Sequence, residues 1–292
     1  MDFIKELMKK PAVQYLLRLF QNIEEDYIGL LAAGVAFYFF MAAFPALAAM
    51  ISLYGLFSDP IFISQQLQNL ENFMPAESLK ILADQAQSIS SSNNAALGLG
   101  FIVGLILAVY ATTKGVRALM KGLNIAFNVK ERRNIVLQNY TAFMLTLGMM
   151  VYLLFSLSLI ALMPAVLNIL PLPDIITIPL LTLRWPLLMF SAMIGLQIIY
   201  HYAPSHPKNK KIKFFSWGSL VAMLFWVGGS SLFSLFVSNF GNYNETYGSL
   251  GAVAVLLLWF WLNALTILFG AEVNASFQTA EQRGRKDVKL AE

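Results

Sequence analysis

The chain contains no cysteine, which excludes disulfides, thiolate metal sites and cysteine nucleophiles and leaves the redox compartment open. Charge is scarce as well: 12% of the 292 residues are Asp, Glu, Lys or Arg, about half the share of a soluble domain. A soluble protein of this length needs a charged shell around its core, and too few charges exist to build one. The two histidines, His201 and His206, stand five apart beside Pro204 and Pro207, with no carboxylate near enough in sequence to complete a metal-ligand set. They read as polar residues at a membrane interface. Absent too are a Gly-rich Lys loop for nucleotide phosphates, a His-Glu-x-x-His helix and a nucleophile elbow. No metal, cofactor or enzymatic activity is therefore expected. Met1 to Asp26 lack a short apolar region ending in a small-residue cleavage site, so no cleavable signal peptide is expected either.

What the chain does have is apolar length. Uncharged stretches run from Tyr27 to Ser58, Gln85 to Thr113, Asn134 to Pro173, Trp185 to Pro207, Phe214 to Asn244 and Thr246 to Ala271. Each exceeds the roughly 20 residues that cross a bilayer core as a helix. In the third, Pro164, Asn168, Pro171 and Pro173 punctuate the second part and predict one helix followed by an irregular loop. The fold class is accordingly all-α, a polytopic membrane protein with six transmembrane helices.

Orientation follows from the cations, because Lys- and Arg-rich loops are retained in the cytoplasm. Of the 20 Lys and Arg residues, 18 fall on one side: Lys5, Lys9, Lys10 and Arg18 before the first span, six between Lys114 and Arg133, four between Lys208 and Lys213, and Arg283, Arg285, Lys286 and Lys289 at the end. The other side keeps Lys80 and Arg184 beside Asp59, Glu71, Glu77, Asp84, Asp174 and Glu245. Both termini are thus expected inside. The single membrane domain, 1–292, divides into an interfacial helix within 1–26, an extracytoplasmic helical loop at 59–94, a basic helix at 114–133 and a tail at 272–292. Leu16, Phe20, Ile23 and Tyr27 give the first of these one apolar face, as an amphipathic helix on the membrane surface needs. In the outer loop, Leu67, Leu70 and Met74, then Leu79, Leu82, Ala86 and Ile89, predict two short helices before a Ser/Asn tract.

Lys114, Arg117, Lys121, Asn124 and Asn128 recur at three, four, three and four, which places them on one helical face. Such a face suits an anionic headgroup, phosphate or carboxylate. The plainer reading is a solvated positive face that sets topology and touches lipid phosphates. Glu272, at the inner end of the sixth span, is expected to pair with Lys114 or Arg117, since a carboxylate at a helix C-terminus wants a compensating cation; the alternative is an exposed interfacial carboxylate. Arg184, before Trp185 and Pro186 at the outer start of the fourth span, either snorkels to headgroups or faces a polar cavity. Asn242 to Gly251 forms a polar, glycine-bearing entry to the sixth span, either a break that exposes backbone N–H groups or a tight turn. In the first span, Gly34, Tyr38 and Pro45 permit close packing and a kink.

Three segments together resemble a known family: Ala33 to Pro45 (AGVAFYFFMAAFP), Thr113 to Asn124 (TKGVRALMKGLN), and Tyr247 to Gly251 leading to Leu258, Trp259 and the Gly270 to Asn274 run (GAEVN). In order and content they are similar to the YihY/BrkB membrane family, from about Gln21 to Phe277. That resemblance implies a bacterial inner-membrane protein with six spans, linked in some members to envelope or serum-resistance traits and suspected of transport. It also implies that the older label ribonuclease BN is a misassignment. Motif positions carried over are Tyr38, Pro45, Lys114, Gly115, Asn124, Tyr247, Gly248, Glu272 and Asn274.

The resulting expectation is transport of an anionic or amphiphilic envelope solute, lipid included, without ATP hydrolysis. Lys114, Arg117, Lys121, Asn124, Arg184, Glu272 and Asn274 bind the solute or line the cavity. Gly34, Tyr38, Pro45, Gly115, Tyr247 and Gly248 serve gating or helix packing. The competing reading is a non-transporting scaffold for envelope biogenesis. Membrane lipids and the solute are the expected partners, with a homo-oligomer left open and nucleic acid excluded, because the basic clusters lack interleaved aromatic stacking positions.

Overall fold

Lipid offers the backbone no hydrogen bonds, so a spanning segment must satisfy its own N–H and C=O groups, and a helix does this within one strand of chain. The computed structural model, which describes residues 11–57, 94–170, 173–206, 216–239 and 249–291, is helical almost throughout those residues. The elements are α1 (Pro11–Glu25), α2 (Ile28–Phe57), α3 (Asn94–Ala126), α4 (Ile135–Leu157), a π-helical turn (Ser158–Leu162), α5 (Met163–Ile169), α6 (Asp174–Tyr202), α7 (Trp217–Asn239) and α8 (Ser249–Ala291). Six are long and apolar enough to cross a membrane, over Ile28–Met50, Ala96–Ala126, Ile135–Ile160, Ile175–Tyr202, Trp217–Val237 and Gly251–Phe277. Their hydroxyl side chains turn back on their own helices. Thr112, Thr141, Thr146, Ser156, Thr182, Ser231 and Thr266 each donate to the carbonyl four residues earlier, so these polar groups sit in apolar segments without a free donor. Large apolar side chains such as Val151, Leu154, Ile178 and Phe190 point outward, as a lipid solvent permits.

The chain divides into two compact units, Tyr38–Thr112 and the combination of Met1–Phe37 with Thr113–Glu292. In the first, α2 and α3 approach at Gly104, where a Cβ would lie 3.0 Å from the Ala49 nitrogen and 3.1 Å from the Pro45 carbonyl oxygen. Gly104, not Gly34, is the packing glycine: Gly34 is exposed, and a Cβ there would meet nothing within 4 Å. In the second unit, α8 packs on α7 and on α1, and α6 contacts α4, the π turn, α5 and α7.

Three expectations about boundaries change. The helix continues through Pro164, with only Leu170 to Pro173 left between α5 and α6. The π turn makes this work: Met163 N–H bonds to Ser158, five residues back, and Pro164 then falls in the first turn of α5, where no N–H is needed. The fourth span starts ten residues earlier than the uncharged run, at Ile175, so Arg184 lies inside α6 and not at its start. A single cation interrupts a run of uncharged letters, but it does not interrupt a helix. Finally, the segment expected as a tail from 272 is helical as far as Ala291, in continuation of α8. The expected outer loop and the Tyr247–Gly248 entry lie outside the described residues.

Helix α1 keeps Leu16 and Phe20 exposed while Leu19 is buried. Its Tyr15 hydroxyl donates to the Val273 carbonyl of α8 at 3.4 Å, and the Tyr15 ring lies 5.1 Å from that of Phe277. Burial raises the Tyr15 hydroxyl above its ordinary pKa, with the Ser276 hydroxyl opposing the shift.

Candidate functional site

At the basic end of α3 the five-residue stripe parts into two. Lys114 and Arg117 are half-buried and Lys121 is exposed, while Asn124 turns inward and is buried. Asn124 accepts from the Ser205 N–H at 2.7 Å and donates to a Glu131 oxygen at 2.9 Å. Asn128 closes α3 with φ of 50°, a left-handed turn that Asn tolerates better than most residues. Beyond it, Arg133 grips Glu131 with both arms of its fork, at 2.8 Å each, and also donates to the Tyr202 and Ala203 carbonyls at 3.2 and 2.7 Å. Those carbonyls end α6, where the last turn has no intrahelical donors and a cation is favoured. Arg132 N–H adds a bond to the Ser205 hydroxyl at 3.1 Å, and Asn134 caps α4 by accepting from Leu137 N–H at 2.8 Å. The α3–α4 connection is therefore latched to the end of α6.

Arg133 holds the Glu131 carboxyl down to about 2, with burial opposing it and the Asn124 amide assisting. A depressed folded-state value means stability that is present above the ordinary 4.5 and is lost as pH falls toward 2. Thermal unfolding of the detergent-solubilised protein should therefore decline through that window, and Glu131→Gln should flatten the decline while lowering stability at neutral pH. An unchanged acid profile in Glu131→Gln would show that the latch does not contribute.

A second knot joins α6, α7 and α8. Ser216 caps α7, its hydroxyl accepting from the Ser219 N–H at 3.3 Å. Asn274 Oδ1 accepts from Gly218 N–H at 2.8 Å and its amide donates to Ser216 Oγ at 3.1 Å. Tyr200 donates to the Ile267 carbonyl at 2.8 Å, and Phe127 stands edge-on to both Tyr200 and His206, with ring centroids 6.2 and 5.0 Å apart. Here helices touch through glycine: a Cβ on Gly218 would strike the Gly270 carbonyl and Asn274.

Arg117, one of the two cations expected to pair with Glu272, is engaged elsewhere. Arg117 donates instead to Asn139 at 2.8 Å, and the ion pair found among the described residues is Arg133–Glu131. Glu272 is not at a helix end, because α8 runs on to Ala291. Asn124 is spent in the latch and Asn274 in the α7–α8 crossing. Arg184 stands about 27 Å along α6 from Tyr202. Gly115 is buried within α3, and Tyr38 is partly exposed on α2. Sequence reasoning passed over Glu131, Ser205 and Gly218, and gave Arg133 and Gly270 no contact of their own. The signals for them were slight, a Glu two residues before an Arg and two glycines in separate spans.

The family model described as Virulence factor BrkB matches residues 19–292. YfkH of Bacillus subtilis (strain 168), described as ribonuclease-like, is 28% identical over 281 residues, covering 94% of this chain and 94% of that protein. The UPF0761 membrane protein PBPRA3489 of Photobacterium profundum is 26% identical over 284 residues, 94% of this chain and 83% of the relative. VP0125 of Vibrio parahaemolyticus, another UPF0761 membrane protein, is 28% identical over 278 residues, 92% and 83%. No solved structure matches the chain. Six apolar spans, the motif order and a match that runs from residue 19 to the last residue agree: the chain belongs to the BrkB virulence-factor family of membrane proteins.

Proposed function

We propose that this protein moves an anionic amphiphile of the phospholipid class across a bacterial inner membrane, without ATP hydrolysis and with its basic end and both termini in the cytoplasm. The observation that carries the reading is Arg184. It lies about 15 Å into α6 from Asp174, well inside a bilayer core about 30 Å thick. Its side chain is half-buried, its Nε has no hydrogen-bond partner among the described residues, and its guanidinium carbon sits 5.1 Å from the Trp185 ring centroid. A cation at that depth is costly and marks a path for a counter-charge.

An apolar groove of about 300 Å³ supports the amphiphilic part of the proposal. It is lined by Phe155, Leu159, Leu162 and Val166 along α4, the π turn and α5. Leu159 and Arg184 are each about ten residues from the short α5–α6 connection, so the groove and the guanidinium lie at about the same depth, and π turns within helices favour functional sites. At the basic end, Lys114 and Lys121 supply a surface that attracts acidic headgroups. The ribonuclease-like name of one relative stays with that protein and is not carried over.

Proteoliposomes carrying fluorescent phosphatidylglycerol, with dithionite added outside to bleach exposed probe, test the reading. Wild-type protein should bring inner-leaflet probe to the quencher, and Arg184→Gln should slow this by about tenfold. Transfer no faster than in protein-free vesicles, across acidic and neutral probes alike, would overturn transport and leave the scaffold reading.

A further inference from the structure

Helix α1 has two apolar flanks and buries only one of them. Steps of about 100° per residue from Tyr15 put Leu19 and Ile23 at about 40° and 80°, on the side turned to the protein, where Leu19 is buried and Tyr15 and Ile23 are half-buried. Leu16 and Phe20 follow at about 100° and 140°, and they are 50% and 64% exposed. Polar residues take the rest of the turn: Gln21, Gln14, Glu25, Arg18 and Asn22 fall between about 240° and 340°, and all are exposed. Glu24 at about 180° and the exposed Leu17 at about 200° mark the edge between the apolar and polar sides. The exposed apolar flank thus lies about a quarter-turn from the flank that meets the protein and nearly opposite the polar arc. A helix with protein at its side, lipid beneath and water above has this division.

Both ends of α1 also stand where spans end. At one end, the Tyr15 hydroxyl donates to the Val273 carbonyl at 3.4 Å, and its ring lies 5.1 Å from that of Phe277, the last residue of the sixth span. The Trp217 ring, on the first residue of the fifth span, stacks on Phe277 at 6.2 Å and is itself exposed. At the other end, the exposed Tyr27 immediately precedes Ile28, where the first span begins. Its φ of 51° turns the chain sharply out of α1, and the Trp261 indole N–H holds the start of α2 on α8 through the Gly29 carbonyl at 3.0 Å. From Tyr15 to Glu25 the helix is about 15 Å long. With both ends at the level of span termini it runs along the membrane surface, not across it, and the aromatic rings gathered there suit the headgroup boundary.

We propose that α1 is a lipid-docking surface: its Leu16–Phe20 flank sits among the acyl chains of the adjoining leaflet, just below the headgroups, and this contact keeps α1 seated against α8. The occupant is the protein's own bilayer, because the flank is continuous with the apolar spans at both of its ends and the polar arc of Gln14, Arg18 and Gln21 faces the opposite way. On α8 the helix is held by one tyrosine hydroxyl, one ring contact and the buried Leu19. Lipid supplies the second wall of the seat. Nothing in this arrangement requires the transport reading to hold.

The chain has no cysteine, so single cysteines report one position each in the full-length protein, here in nanodiscs of phosphatidylcholine and phosphatidylglycerol. Leu16→Cys, Phe20→Cys, Gln14→Cys and Gln21→Cys carry a small environment-sensitive fluorophore, quenched either by lipid bearing a nitroxide near the headgroup end of its acyl chain or by iodide in the water. Labels at 16 and 20 should be quenched by the lipid at least about threefold more than those at 14 and 21, as burial of about 5–10 Å below the surface requires, and iodide should show the reverse order. Equal access of iodide to all four positions overturns the proposal. So does shielding of 16 and 20 from both quenchers, which would mean that protein, a second copy included, covers the flank. Hydrogen–deuterium exchange reads the seating: Leu16→Ser combined with Phe20→Ser should speed exchange of residues 13–25 about tenfold while α4 keeps its rate, and Phe20→Leu should stay at the wild-type rate. Unchanged exchange in the serine variant would overturn the seating of α1 by lipid, and the quenching comparison decides the docking even should that variant fail to fold.

Discussion

The Gly270→Val protein is expected to lose about 3 to 5 kcal/mol of folding stability and to unfold about 10 °C below the wild type. A Cβ on Gly270 would strike the Tyr200 hydroxyl and would lie 2.6 Å from both the Ala222 Cβ and the Gly218 carbonyl oxygen. Two of these three obstacles belong to α7 and one to α6, so no single side chain can step aside. Part of the cost is overpacking, and part is the Tyr200–Ile267 hydrogen bond, which the displaced hydroxyl must give up. Tryptophan fluorescence during heating in detergent reads the outcome. Tyr200→Phe provides an internal check: it removes the hydroxyl that the new Cβ meets, so Gly270→Ala should cost less in that background than alone, a departure from additivity that follows from direct contact. Gly34→Ala serves as the opposite control. With open space at its Cβ position it should be neutral or stabilising by up to about 1 kcal/mol, as a helical Gly to Ala change is where nothing crowds it. A large loss at Gly34 with none at Gly270 would reverse the assignment of the two glycines.

That contrast shows what kind of information the sequence held. The six spans were legible because each is a sum over some twenty residues of transfer preference, a sum that single errors do not disturb. Arg184 and Pro164 were each read as boundaries, and both lie inside helices. A lone cation costs energy in lipid but leaves the backbone bonds intact, and a proline is accommodated when a π turn precedes it. Gly34 was singled out from its place in a motif, whereas Gly218 and Gly270 matter because three helices cross there, a fact with no local trace. The basic stripe was right as a periodicity and incomplete as a site. Of its five residues, four lie on α3 and meet different neighbours along its length, so Asn124 is drawn into a buried latch while Lys121 stays at the surface, and Asn128 lies beyond the helix end. The carboxylate at 272 suggests Arg117 as a partner by charge alone, yet Arg117 donates to Asn139 on α4, a pairing that only the fold brings about.

The latch offers the second large effect: Arg133→Ala is expected to cost about 3 kcal/mol. The side chains of Arg133 and Glu131 are 13% and 26% exposed, sheltered enough for their bidentate pair to hold its geometry and wet enough to keep the loss below that of a fully buried pair. Removing the guanidinium leaves Glu131 with the Asn124 amide and the backbone N–H of residue 133, and takes the donors from the Tyr202 and Ala203 carbonyls at the end of α6. Arg133→Lys keeps the charge but not the fork, so it should recover about half of the loss. The decisive comparison is a double-mutant cycle. If Arg133 acts chiefly through Glu131, the pair Arg133→Ala and Glu131→Gln should lose little more than the worse single variant. If the α6 carbonyls dominate, the losses should add, and the acid sensitivity of Glu131 should survive in neither variant. Heat and limited proteolysis of the 127–134 connection read different parts of this. Cleavage there should rise with the freeing of the connection even where α6 itself stays helical, because lipid continues to enforce its internal hydrogen bonds. A cleavage rate unchanged in Arg133→Ala would mean that packing of Phe127 against Tyr200 and His206, and not the guanidinium, holds the connection in place.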